Sequence, residues 1–339
     1  MLKYTIRRIL WMIPVLLGVM VIVFTLSNFM PGDPVLNQLG DEWTQEQYDQ
    51  AAHDLGLDRP FIVRLGSYIW GVVTQFDLGT SYQTNRAVSA QIAERIWTTI
   101  KLGLLSCAVS IVISIPFGVL SAVHQKKPID YIITVVSVFL ASMPGFWLAM
   151  VCVMFFSSYL GILPASGLST WKHYILPVVC NGMMSLASIT RMTRSSMLEV
   201  IRADYIRTAR AKGLEERKVI LRHALKNALI PVITVVGGQM SMIIGGSVIT
   251  EQIFNINGLG TLMVNAINNR DYPMIMGITF VIAVFVCVMN LIVDLAYSAV
   301  DPRIKAQFSG GDKKKEKQKK EAFMKKTAII TLIFALMLC

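Results

Sequence analysis

The stretch Leu102–Val123 reads LGLLSCAVSIVISIPFGVLSAV and contains no charged residue. A helix needs about 20 consecutive apolar residues to cross the hydrocarbon core of a bilayer, and this stretch has that length. Other apolar runs in the chain meet the same requirement or come close to it. Together they predict an all-α integral membrane protein with six transmembrane helices, the others being Ile9–Gly32, Tyr131 to about Leu160, His173–Thr190, Asn227–Thr250 and Tyr272–Val293.

The overall composition favours the same fold class. Of the 339 residues, 54% are hydrophobic and only 16% are charged, and the mean hydropathy is +0.56. A soluble domain has about 25% charged residues, so the composition excludes an ordinary soluble enzyme, a disordered chain and a disulfide scaffold. Cysteines lie mostly within apolar runs and histidines are scattered, so we expect no metal site, no catalytic residue and no cofactor.

Basic residues are distributed unevenly between the apolar runs. Residues 191–226 include ten basic and four acidic side chains, whereas residues 31–97 include four basic and nine acidic ones. Cytoplasmic loops of membrane proteins carry an excess of Lys and Arg, so this pattern predicts that the N- and C-termini are both cytoplasmic. The net charge of +11 therefore indicates membrane topology and the bilayer as a partner, with no nucleic acid.

The predicted spans divide the chain into four regions. These are the N-terminus with the first transmembrane helix at 1–30, an extracytoplasmic loop at 31–97, a five-helix core at 98–300 with a cytoplasmic loop at 191–230, and a basic cytoplasmic tail at 301–339. The tail ends in a short apolar stretch, Thr327–Cys339, which is too short to cross a bilayer. Because it follows Met324-Lys325-Lys326, it resembles the start of a lipoprotein signal peptide, and we expect it to be dispensable for function.

The loop at 191–230 differs from an ordinary connector. Good helix formers continue from the preceding span to Gly213, and a glycine can end a helix because it tolerates positive φ. In the helix that follows, the apolar residues Val219, Ile220, Ala224 and Leu225 form one stripe. Pro231 can then open the next span. We therefore predict a rigid helix–glycine–helix element that docks on a soluble partner. Binding of lipid headgroups by Arg191 and Arg194 is the alternative.

Two segments of this loop carry a family resemblance. RADYIRTARAKG at 202–213 and HALKNALIP at 223–231 look like the cytoplasmic loop of the dipeptide/oligopeptide/nickel permeases, membrane subunits of binding-protein-dependent ABC importers. Further matches occur in order along residues 1 to about 305. These matches are Pro31–Pro34, Asp77–Ser81, Arg191–Arg194, Gly258–Gly260, Arg270–Pro273, Asn290–Leu295 and Asp301–Arg303. The chain departs from the family pattern at Asn257, where this family usually has Pro.

The resemblance implies a type I ABC importer permease that carries peptides across the cytoplasmic (inner) membrane, with nickel complexes or glutathione as alternative cargo. The implied partners are a second homologous permease, two ABC ATPase subunits and an extracytoplasmic solute-binding protein. The chain has no G-x-x-x-x-G-K-[ST] motif, so ATP hydrolysis is expected on the separate ATPases. The implied ATPase-coupling residues are Tyr205, Ala209, Gly213, Val219, His223, Ala224, Asn227 and Pro231.

Other classes of function fit the residues less well. An intramembrane enzyme would need catalytic motifs such as H-E-x-x-H or G-x-S-x-G, which the chain lacks. A secondary carrier or channel is a closer alternative, but no inverted repeat is visible. Polar residues within the spans are candidates for the translocation path, although hydrogen bonding between helices explains them equally well; they are Asn181, Ser185, Ser188, Gln239, Ser241 and Asn290.

Overall fold

The computed structural model describes residues 2–29, 34–39 and 43–300. The predicted basic tail at 301–339 and its apolar end lie outside the described residues, and so does most of the Pro31–Pro34 motif. Within the described ranges the chain is helical and forms no β-sheet, and its one isolated β-bridge joins Thr80 to Ala87.

Thirteen helices follow one another along the described chain, and three continue as π-helical turns at 71–75, 153–159 and 219–224. Their bounds are α1 Leu2–Phe29, α2 Pro34–Leu39, α3 Gln45–Asp54, α4 Phe61–Trp70, α5 Val88–Val123, α6 Pro128–Ser142, α7 Gly145–Cys152, α8 Trp171–Ile201, α9 Asp204–Ala211, α10 Glu216–Lys218, α11 Leu225–Ile253, α12 Leu259–Asn268 and α13 Tyr272–Val300.

Five of these helices are long and apolar enough to cross a membrane, namely α1, α5, α8, α11 (together with the short helical turns before it) and α13. The predicted third span is not one straight helix, because α6 and α7 meet at an angle of 101°. Met143 precedes Pro144, and the proline ring disfavours helical geometry at the preceding residue. Met143 accordingly adopts an extended ψ of 133°. Six spans result if this bent pair crosses as one.

The centre of the bundle is the contact between α5 and α8. A Cβ atom on Gly118 would lie 2.4 Å from the Cβ of Thr193, and one on Gly182 would lie 2.8 Å from the carbonyl oxygen of Ser106. The two glycines therefore allow a close backbone approach that any larger side chain would prevent. Beyond this centre, α11 packs on α8, α13 packs on α11, and α1 packs on α13.

The segment between α1 and α5 contains short helices outside the long apolar ones. At the start of α3, the amide of Gln47 donates to Thr44 Oγ1 at 3.3 Å, and the amide of Thr44 donates to Gln47 Oε1 at 2.9 Å. This reciprocal pair is a capping box, as the sequence predicts.

Candidate functional site

The basic loop has a break that the sequence does not signal. We predicted one helix up to Gly213, but α8 ends at Ile201, and α9 starts at Asp204 after an extended Ala203. The turn brings Ile206 into the core, where it is fully buried. Packing therefore overrides the helix propensity of these residues. Gly213 follows α9 with φ at +75°, the positive value expected for a helix-ending glycine.

The apolar stripe of the loop faces the subunit itself. The side chains of Val219, Ile220 and Ala224 are buried in one cluster with residues of α5, α8 and α9, including Met197, Ile206 and Ala209. Ala209, Val219 and Ala224, which we predicted as coupling residues, are therefore buried within the subunit, where their side chains shape the loop. The stripe fixes the loop to the membrane helices, so the loop and the bundle form one packed unit.

The remaining predicted coupling residues are accessible to different degrees. Tyr205 and Asn227 are exposed and bonded to each other, since Asn227 Nδ2 donates to the Tyr205 hydroxyl at 2.9 Å. Gly213 is exposed and His223 is half-buried. Pro231 is exposed inside α11, which already begins at Leu225, so this proline does not open the helix.

Two exposed leucines that sequence reasoning missed lie on the outer surface of the loop. Leu214 follows the glycine and Leu221 lies in the π-helical turn, and both side chains are exposed, whereas Val219 and Ile220 beside Leu221 are buried. Across Gly213, Arg210 Nε and Nη2 donate to the Glu216 carboxylate at 3.0 and 2.7 Å. This bidentate pair raises the pKa of Arg210 and joins α9 to α10. Tyr205, Leu214 and Leu221 are thus exposed apolar side chains on a basic element, and the three are here called the loop surface.

An ion pair between the half-buried Arg194 and the buried Asp130 connects α6 to α8 at the same end of the bundle. Arg194 Nε and Nη2 donate to the two carboxylate oxygens of Asp130 at 2.7 and 2.8 Å. Asp130 also accepts hydrogen bonds from the Ser121 hydroxyl and from the Lys126 amide. Arg194 therefore has a protein partner, which argues against the lipid-headgroup alternative for this residue. The sequence alone does not predict that these two residues form an ion pair, because they are 64 positions apart along the chain.

The candidate path residues divide between the interior and the surface. Asn181 and Ser185 are buried against α5, where Ser185 shares a 2.9 Å hydrogen bond with Ser110 and Asn181 donates to Ser106 at 3.4 Å. In this structure both side chains make contacts between helices. Ser188 and Asn290 are exposed and Gln239 is half-buried, whereas the side chain of Ser241 lies outside the described part of the chain.

Two sequence motifs meet at the opposite end of the bundle. Asp271 accepts hydrogen bonds from the Ser81 hydroxyl at 2.5 Å and from the Tyr82 amide at 3.1 Å. The backbone of Gly79, with φ at +86°, approaches Pro273, since a Cβ atom at Gly79 would lie 3.6 Å from the Cβ of Pro273. The Asp77–Ser81 motif therefore holds the start of α13 in place.

A second buried carboxylate organises the Gly258–Gly260 motif. Glu251 has no exposed surface, and its Oε2 accepts hydrogen bonds from the Gly260 amide at 2.6 Å and the Thr261 amide at 3.2 Å. Its Oε1 accepts from the Thr99 hydroxyl at 2.7 Å and from the Ser247 hydroxyl at 3.3 Å. A negative group at a helix N-terminus is stabilised by the free amides there. Glu251 thereby joins α5, α11 and α12.

Comparisons with known proteins identify the family of this architecture. Residues 114–306 match the family of binding-protein-dependent transport system inner membrane components, and residues 1–103 match the N-terminal family of such components. The chain is 40% identical to the dipeptide transport system permease protein DppB of Alkalihalophilus pseudofirmus, with 90% of this chain and 100% of the relative aligned. It is 42% identical to the oligopeptide transport system permease protein AppB of Bacillus subtilis, covering 90% and 99% respectively.

A further relative and a solved structure extend the comparison. The glutathione transport system permease protein GsiC of Pectobacterium atrosepticum is 40% identical, over 90% of this chain and 99% of the relative. An inward-facing structure of the MetNI methionine ABC transporter superposes with a TM-score of 0.54 at 19% identity, covering 62% of this chain and 96% of that chain, and so shares the fold. The chain therefore belongs to the family of inner-membrane components of binding-protein-dependent transport systems, which are permease subunits and not catalytic enzymes.

Proposed function

We propose that the chain is the transmembrane permease subunit of an ATP-driven importer that carries di- and oligopeptides across the cytoplasmic membrane. The observation that carries this proposal is the alignment of nearly the whole chain with dipeptide and oligopeptide permeases at 40 and 42% identity. The proposed orientation has both termini in the cytoplasm. It rests on the basic loop between α8 and α11 and the acidic segment between α1 and α5.

The importer requires partner proteins for its energy and its substrate. The proposed assembly contains this subunit, a second homologous permease, two ABC ATPase subunits and an extracytoplasmic solute-binding protein. Since the chain lacks a phosphate-binding G-x-x-x-x-G-K-[ST] loop, the ATPases supply the energy. We propose that one of them binds the loop surface, whose exposed Tyr205, Leu214 and Leu221 offer apolar anchors on a basic element. The firm packing of the loop on the bundle would transmit its motion to the membrane helices.

Glutathione is the second candidate cargo. A relative named as a glutathione permease is as similar to this chain as the dipeptide permease is, which favours glutathione over nickel complexes. Uptake into proteoliposomes that contain the full complex and its binding protein distinguishes these cargoes. We expect ATP-dependent uptake of labelled peptides that exceeds uptake of glutathione and of a nickel chelate. Equal uptake without ATP or without the ATPases would contradict the importer and favour a carrier.

A pair of substitutions tests the loop surface. Leu221→Asp changes an exposed side chain, whereas Ala224→Asp places a charge in the buried cluster of the loop. We expect Leu221→Asp to retain membrane abundance but to lose ATPase co-purification and uptake, and Ala224→Asp to reduce abundance itself. Ile62→Asp, an equally apolar exposed site on α4, is the matched control and should retain the ATPases. Normal ATPase recovery with Leu221→Asp would show that the partner binds elsewhere.

A further inference from the structure

A cavity lies between α6 and α8, beside the Asp130–Arg194 ion pair. Its volume is about 240 Å³, and its lining includes Tyr131, Thr134 and Arg191. Nothing in the proposed transport cycle uses this cavity. It is separated from the loop surface, because its lining comes from α5, α6 and α8 and includes no residue of α9 or α10.

Two buried hydroxyl groups in the cavity lining have no hydrogen-bond partner among the described residues. They are Ser137 Oγ on α6 and Thr190 Oγ1 on α8, and the two residues are only 5% and 3% exposed. A buried polar group without a partner is unfavourable, so these hydroxyls favour a polar ligand in the cavity. Water or a polar molecule of matching size would satisfy them.

The charges of the residues that line the cavity distinguish between water and a polar molecule as the ligand. Asp130 is fully occupied by Arg194, Ser121 and the Lys126 amide, so its negative charge is neutralised. Arg191 is exposed at the cavity and makes no ion pair with any residue that the structure describes. The remaining charge is therefore positive, which favours an anion with oxygen acceptors. A phosphate ester fits this description, since Arg binds phosphate oxygens through several N–H groups.

The surface next to the cavity is suited to acyl chains. On α6, Ile132, Val135 and Phe139 are exposed and lie on one helix face at spacings of three and four residues. The exposed ring of Tyr131 lies at the cavity end of that face, as aromatic residues do at the boundary between headgroups and hydrocarbon. A phosphate group bound in the cavity could thus continue into hydrocarbon chains along α6.

We propose that the cavity between α6 and α8 is a binding site for the phosphodiester headgroup of an anionic phospholipid. Arg191 binds the phosphate, and the hydroxyls of Ser137 and Thr190 bind headgroup oxygens. The site does not depend on which solute is transported. Its assignment to the cytoplasmic leaflet rests on the proposed orientation, because Arg191 lies at the basic end of the bundle. Free inorganic phosphate shares the same chemistry and is the competing source.

Native mass spectrometry of the full complex tests the site. The complex is released from mixed micelles that contain either phosphatidylglycerol or phosphatidylcholine, and bound lipids are counted. We expect phosphatidylglycerol to be retained preferentially, and Arg191→Gln to weaken its retention about tenfold. Arg217→Gln removes an equal charge from an exposed position outside the cavity and is the matched control. Ser137→Ala combined with Thr190→Val should weaken retention about fivefold.

Three results would overturn the proposal. Equal retention by Arg191→Gln and Arg217→Gln would show that binding follows overall charge. Equal retention of the two lipids by the unsubstituted complex would show that the headgroup charge is not recognised. Displacement of phosphatidylglycerol by millimolar inorganic phosphate would identify free phosphate as the ligand. Arg191→Gln changes an exposed side chain and decides the matter even if the buried double substitution disturbs folding.

Discussion

Replacing Glu251 by alanine removes the shared acceptor of four hydrogen bonds at the start of α12. The two hydroxyl donors, Thr99 and Ser247, can rotate toward other acceptors, but the amides of Gly260 and Thr261 cannot move without unwinding the helix. Each buried donor left without a partner costs about 1–3 kcal/mol. Glu251→Ala should therefore destabilise the subunit by about 2–6 kcal/mol, before any contribution from the cavity that it creates.

The isosteric Glu251→Gln substitution should be much milder. Its single carbonyl oxygen can still accept from Gly260 and Thr261, while its amide donates toward Thr99 and Ser247. The loss of stability is then the difference in strength between charge-assisted and neutral hydrogen bonds, about 1–2 kcal/mol. Gln252→Ala, at the exposed neighbouring position, is the matched control and should change stability little.

The order of stability of these variants can be measured on the detergent-solubilised complex. Its thermal stability is followed by fluorescence-detected size exclusion. We expect Gln252→Ala to match the unsubstituted chain, Glu251→Gln to be somewhat less stable, and Glu251→Ala to be least stable, with reduced uptake. If Glu251→Ala were as stable and as active as Gln252→Ala, the buried carboxylate would not hold α12, and the explanation of the Gly258–Gly260 motif would fail.

Two further predictions concern topology and the loop. A cysteine at Gln50 should react with an impermeant thiol reagent in intact cells and one at Arg217 should not, relative to the unsubstituted chain; reversed labelling would contradict the proposed orientation. Gly213→Val should cost about 1–3 kcal/mol and reduce uptake, because φ is +75° there, although a Cβ atom would meet nothing within 4 Å. Gly213→Asn, whose side chain tolerates positive φ, should retain most uptake; equal uptake by the two variants would show that backbone strain at this corner is unimportant.

The helices of the fold were largely predictable because the bilayer imposes a length and a polarity on each one. The runs that became α1, α5, α8, α11 and α13 are visible in the sequence for that reason, and so is the capping box at Thr44. The bend between α6 and α7 was not predicted, although Pro144 is visible in the sequence. Proline is tolerated inside several other helices, and only the surrounding packing determines where it breaks one.

The sequence indicated which segment of the chain forms the candidate site, but not which side chains of that segment are exposed. The basic loop and its apolar stripe could be located, yet the stripe packs on the subunit and the exposed surface is formed by Tyr205, Leu214 and Leu221. An apolar pattern indicates that side chains leave water, and it does not indicate which surface covers them. The same limit explains why the sequence positions of Asn181 and Ser185 fit a translocation path and a contact between helices equally well.

By itself, the sequence determined the membrane class, the number of apolar runs, the asymmetry of charge and the family resemblance. These properties are local, since hydropathy, charge and short motifs can be read without knowing the path of the chain. Only the tertiary structure decided that Asp130 pairs with Arg194, that Asp271 holds the Asp77–Ser81 segment, and that Glu251 caps α12. Each of these contacts joins separate helices or loops, and a buried charge can choose its partner only after packing has brought the two groups within hydrogen-bonding distance.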